Sequence, residues 1–175
     1  KGYQNLLKLV SIGYTEGFYY KPRVDKKHLE KYNEGIIATS ACLAGEVNYY
    51  AARNDYETAK KVALEYASIF PDRFYLEVQN HTIPEELASH EILIKLSEEL
   101  DLPMVATNDN HYARIEHSEA HDVLFCLGTG KDLDDPTRRK YIPEQFYIKS
   151  AEEMEALFGN FKGADCNCEL ESSNP

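Results

Sequence analysis

The stretch ATNDNHY, Ala106 to Tyr112, carries the strongest chemical pattern in the chain. An apolar run beginning at Leu102 leads out of what reads as a strand into Asp109-x-His111. On extended backbone, residues i and i+2 project to the same side. A carboxylate and an imidazole therefore leave the strand's C-terminal end together, where parallel α/β folds build their sites. Hard oxygen beside borderline nitrogen suits Zn²⁺, Mn²⁺ or Fe²⁺. The competing reading is a turn, since Asn108, Asp109 and Asn110 are good turn formers and the pair could simply cap the next helix.

Other residues are weaker candidates. Cys42, in SACLAGEV, also follows a strand, where a thiolate could ligate metal or act as a nucleophile; a small buried cysteine is the commoner outcome. His81, in EVQNHTIPEE, follows another strand and could either bond substrate or cap the helix beginning at Pro84. In HSEAH, His117 and His121 share a helix face, but zinc proteases need Glu directly after the first His and Ser118 stands there; a solvated helix face is the favoured reading. GTGK, Gly128 to Lys131, lacks the remaining residues of a phosphate-binding loop and reads as a helix-ending glycine turn. Cys166-x-Cys168 has no partner pair in the sequence and lies in an aperiodic tail.

The elements that must position these residues alternate in period. Helical spacing runs over Tyr3–Ile12, and an Asp cap opens a short helix over Asp25–Tyr32. Gly35–Leu43 reads as a strand, Ala44–Phe70 as one long helix stopped by Pro71, and Arg73–Gln79 as an alternating strand. Pro84 suits the first position of the next helix. Leu102–Asp109 is apolar through its middle, as in a strand covered on both faces. A helix over Ser118–Leu127, a strand over Gln145–Lys149 and a helix over Ala151–Phe158 follow. This is βαβ patterning and predicts a parallel α/β sheet, with too few strands to close a barrel alone.

At 175 residues the chain is about one domain. Its 43% hydrophobic content excludes collagen-like and globally disordered chains. No apolar run reaches the ~18 residues of a membrane span, and no leader pattern precedes the first helix. A net charge of −11 speaks against a broad electrostatic coat for nucleic acid, but not against phosphate handled through cations. Four cysteines make no disulfide framework and point to a reducing compartment.

The blocks GYQNLLKLVSIGYTEGFYYKPRVD, SACLAGEV, FYLEVQNHTIPEE, ATNDNHY, VLFCLGTGK and EQFYIKSAEEM occur in one order. Together they resemble the PHP (polymerase and histidinol phosphatase) domain of bacterial replicative DNA polymerase III alpha subunits, from about Gly2 to Phe158. The resemblance implies a distorted (β/α)7 barrel, incomplete here. Residues 1–158 would be a partial PHP domain, and 159–175 an irregular linker toward absent polymerase regions. It implies a site for divalent metals (Zn, Mn or Mg) at the strand ends, with Cys42, Asp109 and His111 as three of nine ligands. The others would precede this sequence, so the chain alone is expected to hold metal poorly and to show no nuclease or polymerase activity.

The implied activity is DNA synthesis by the whole polymerase in the bacterial cytoplasm, with a metal-dependent phosphoesterase or 3′–5′ exonuclease role for the PHP site. The implied partners are DNA, the sliding clamp and a proofreading subunit, with no membrane. Lys21 and Arg23, beside Tyr19 and Tyr20, are then candidates for phosphate contact, against a plain surface turn fixed by Pro22. The alternatives are a stand-alone phosphatase, such as a histidinol-phosphate phosphatase, and a metal-free scaffold.

Overall fold

Phe74, Leu76 and Val78 alternate with Tyr75, Glu77 and Gln79 along β2 (Phe74–Gln79), and that alternation sets the two faces of the sheet. The apolar set is buried in one cluster with Val62, Ala63, Leu93 and Leu96 from the helices. The other set carries Glu77 and Gln79, which are also buried. A computed structural model describes residues 1–141, 143–159 and 161, with the backbone of 164–165; Cys166 and Cys168 lie outside the described residues.

The elements run α1 (Gly2–Thr15), α2 (Lys26–Tyr32), β1 (Ala38–Thr39), α3 (Glu46–Ala51), α4 (Tyr56–Ile69), β2, α5 (Pro84–Leu100), β3 (Met104–Thr107), a 3₁₀ turn (Ile115–His117), α6 (Ser118–Thr129), α7 (Ala151–Phe158) and β4 (Ala164–Asp165). The strands are parallel and lie in the order β1-β2-β3-β4. Each is added on the same side of the last, as in a barrel wall, without the reversal that marks a doubly wound sheet. With helical crossovers between them, this is the wall of a partial (β/α) barrel, the architecture expected from the sequence.

Several elements differ from the sequence reading. The helix expected over Ala44–Phe70 is two helices. Asn54 takes the left-handed conformation (φ 58°), and Asp55 then caps α4 by accepting the Thr58 N–H at 3.1 Å. The strand expected over Gly35–Leu43 shrinks to Ala38–Thr39, because Ala41 turns left-handed (φ 59°) directly before Cys42. The strand expected over Gln145–Lys149 makes only one parallel bridge, Tyr147 to Tyr112. Ala164–Asp165, in the stretch expected to be irregular, pair with β3 instead. Pro84 stands at the start of α5, and Gly130 ends α6 left-handed (φ 65°), both as the sequence indicates.

Candidate functional site

The loop after β3 is held from both sides. The Asn108 Nδ2 donates to the carbonyls of Gln145 (3.1 Å) and Tyr147 (2.8 Å). The N–H groups of His111 and Tyr112 both donate to the Phe146 carbonyl, at 2.8 and 3.1 Å. Lys149 donates to the Asn108 Oδ1, and burial pushes its amine below the ordinary lysine range. These bonds fix Asp109 and His111 with Oδ2 and Nε2 3.2 Å apart, the side chains 42% and 30% exposed. The i, i+2 reading of this pair holds, at the carboxyl end of a buried parallel strand.

His81 neither reaches solvent nor caps α5. It is fully buried, and the N-cap of α5 is Ile83, which has no side-chain cap bond. The reason lies with Glu86, itself buried in the first turn of α5. Its two carboxylate oxygens accept the His81 backbone N–H (2.7 Å) and Nδ1–H (2.8 Å). The imidazole stacks on Phe146 at 4.4 Å, and its Nε2 accepts the Asp109 backbone N–H at 3.1 Å. Nε2 must then carry the lone pair and Nδ1 the proton, which makes the ring a neutral strut under Asp109.

Cys42 reaches the same region through a tight turn. A Cβ on Gly45 would fall 2.0 Å from the Ser40 carbonyl, so only glycine allows this approach. Asn48 Nδ2 donates to the carbonyls of Ala41 (2.5 Å) and Glu77 (3.2 Å), which ties the turn to β2. Cys42 and Asp109 then line one cavity of about 350 Å³, with Gln79, Arg139, Lys140 and Tyr141 among its other walls. Beneath it lies a polar layer. Glu77 accepts the Thr39 hydroxyl (2.5 Å), the Thr107 hydroxyl and the Gln79 amide (3.1 Å), joining three strands on the face away from the helices.

As a metal centre the described set is partial. The Asp109 and His111 atoms are close enough to occupy adjacent positions on one ion, and the cysteine shares their cavity. Among the described residues, however, no group of three His, Cys, Asp or Glu side chains is gathered around one point.

Lys21 and Arg23 do not line this cavity. Arg23 lies over the Tyr19 ring at 5.0 Å, and both cations are exposed. His121 leaves the solvated face expected for it and packs against Tyr141 and Tyr112, at 5.1 and 5.3 Å between centroids; His117 stays exposed. The sequence reading missed Glu86, Gln79, Arg139 and Lys140. Glu86 had a signal, five residues past His81 in a helix's first turn, and Gln79 had one as a polar inward position on a strand.

Arg138 anchors the segment that carries the two cavity cations. Its side chain is 4% exposed and forks onto both Asp122 oxygens, with Nη2–Oδ2 at 2.6 Å. The guanidinium holds the Asp122 carboxyl below the usual carboxylate range. A lowered folded-state value stabilises above the unfolded value and loses that contribution as pH falls through the folded one. Asp122→Asn is therefore expected to be less stable than wild type at neutral pH, with the two urea midpoints converging as pH falls below about 4.

The sheet, its strand order and the loops at its carboxyl ends define the class. The PHP domain family matches residues 1–81. The particular relatives are DNA polymerase III alpha subunits. The chain is 43% identical to that of Campylobacter jejuni over 99% of its length, 47% identical to that of Borreliella burgdorferi over 93%, and 41% identical to that of Thermus aquaticus over 94%. It spans 16%, 14% and 13% of those relatives' lengths. The chain is thus similar to the PHP family over residues 1–81 and to these polymerase subunits over most of its own length. Among the described residues, no helix is long and apolar enough to cross a membrane.

Proposed function

We propose that this chain is the PHP region of a replicative DNA polymerase alpha subunit, and that its strand-end loops supply part of a metal-dependent phosphoesterase site. The observation that carries the reading is the Asp109–His111 pair, 3.2 Å apart at the end of β3 and beside a cavity shared with Cys42. Asp109 and His111 would hold a divalent ion, zinc or manganese by donor chemistry, and Cys42 would bias the choice toward zinc. Such an ion supplies Lewis acidity and a hydroxide near neutral pH. The chain's own residues orient and exclude: His81 and Phe146 fix the loop, and Leu43 and Ile83 line the cavity with apolar surface.

On this reading polymerisation belongs to other parts of the protein. DNA, a sliding clamp and a proofreading subunit are its partners in the cytoplasm, and residues 159–175 lead toward the polymerase body. The test is metal retention by the full-length protein after dialysis, measured by elemental analysis. His111→Ala is expected to weaken zinc or manganese binding by more than the ~10–100-fold lost when a residue that only hydrogen-bonds a metal ligand is changed. Equal metal content in the two proteins would instead favour a scaffold role, which the partial donor set also allows.

A further inference from the structure

Directly after α1 the chain folds back over the end of that helix, and two glycines let it approach. A Cβ on Gly17 would fall 1.9 Å from the Arg23 carbonyl oxygen, and Gly13 lies against Pro22 and Arg23. Tyr19 and Lys21 form an antiparallel bridge, with Tyr20 between them in the left-handed conformation (φ 60°). A bulky residue seldom takes that conformation. Packing offers little in return, because Tyr20 is among the most exposed residues of the chain.

The turn holds four aromatic side chains outside the core. Tyr14, Phe18, Tyr19 and Tyr20 are between 57% and 82% exposed. Tyr14 and Phe18 stack with centroids 6.3 Å apart, and Tyr19 meets Tyr20 edge-to-face at 4.5 Å. Positive charge collects in the same part of the sequence. The first 31 residues hold seven of the 19 Lys and Arg but only three of the 30 Asp and Glu. Lys26 is held by Glu46 and Glu65, at 2.9 and 2.6 Å. The Asp25 carboxylate accepts the His28 N–H and caps α2. Lys21 and Arg23, by contrast, are exposed and have no carboxylate partner among the described residues.

We propose that this turn is a platform for single-stranded nucleic acid, with bases stacking on Phe18, Tyr19 and Tyr20 and backbone phosphates meeting Lys21 and Arg23. Exposed aromatic faces accept any base, and neighbouring cations follow the backbone. Guanidinium and ammonium groups make charge-assisted bonds to phosphate oxygens. Rings alone would suit an apolar protein surface; two unspent cations beside them favour a polyanion. None of these residues lines the Cys42–Asp109 cavity, and binding at the turn needs no metal. The proposal rests on the reading above only in taking DNA as the nucleic acid.

The test is photo-crosslinking of the full-length protein, in EDTA, to single-stranded DNA carrying 5-bromodeoxyuridine, with the labelled residue identified by mass spectrometry. Label is expected on Phe18, Tyr19 or Tyr20. At subsaturating DNA its yield should fall about fivefold or more in Tyr19→Ala and in Tyr20→Ala. Tyr20→Phe should keep the label. Tyr20→Gly suits the left-handed backbone, so it should keep the fold and still lose yield. Yield should also fall with added salt and in the Lys21→Ala, Arg23→Ala double variant, whereas Lys61→Ala, on α4, should leave it unchanged. Label confined to other parts of the protein, or none at all, would overturn the proposal. So would protection of Tyr19 and Tyr20 from hydroxyl-radical labelling in DNA-free protein, the outcome if a protein surface covers the turn. Asp109→Asn is expected to keep the crosslink, so failure of the metal reading and failure of this platform give different results.

Discussion

Glu86→Ala is expected to destabilise the protein by about 2–6 kcal/mol, the cost of leaving two buried donors without an acceptor at roughly 1–3 kcal/mol each. Glu86 is 5% exposed, and both its oxygens are engaged, on the His81 N–H and Nδ1–H. Removing it leaves two buried donors unpaired and opens space beside an imidazole that is itself closed to solvent. Glu86→Gln should cost less, about 1–3 kcal/mol, because its amide oxygen still accepts one bond while its NH₂ meets the other donor. Urea denaturation of the three proteins measures both. The loss should also reach the site, since His81 Nε2 holds the Asp109 amide. Hydrogen exchange at Asp109 is therefore expected to quicken more in Glu86→Ala than the change in global stability alone explains. A loss below about 1 kcal/mol would mean that water replaces the carboxylate freely.

How far the sequence goes can be judged from these same residues. The alternation of β2, the apolar run of β3 and the proline at the head of α5 are periodic or positional signals, and each element formed where they pointed. Asp109-x-His111 was legible because the period of a strand fixes where i and i+2 project. The failures share a cause: side chains competing for backbone partners. The carbonyls of Gln145, Phe146 and Tyr147 accept bonds from the Asn108 side chain and from the His111 and Tyr112 amides, so 145–149 joins the fold as a strap rather than a strand. The split of α3 from α4 turned on Asn54 and Asp55, a left-handed residue and a cap, which outweighed a continuous helical spacing. His81 carries no periodic signal for its role. Burial of an imidazole depends on an acceptor for one nitrogen and a donor for the other, and those come from α5 and from the loop after β3.

Asp109→Asn is expected to have the largest effect on chemistry. An amide keeps the shape of the carboxylate and the backbone bond to His81, but it removes the charge that a divalent ion requires. Changes to residues that merely support a metal ligand already cost about 10–100-fold, so loss of the proposed ligand carboxylate should reduce phosphoester hydrolysis on the order of 100-fold or more. At 42% exposure the side chain contributes little to packing, and stability should stay close to wild type. The direct measurement uses the full-length protein and one preparation of each variant, with metal-dependent removal of the 3′-terminal nucleotide from single-stranded DNA and primer extension followed side by side. The expected result is hydrolysis lost in Asp109→Asn with primer extension retained. Hydrolysis at the wild-type rate in Asp109→Asn, or equal loss of both activities, would contradict the assignment of this strand-end pair as a metal-dependent phosphoesterase site.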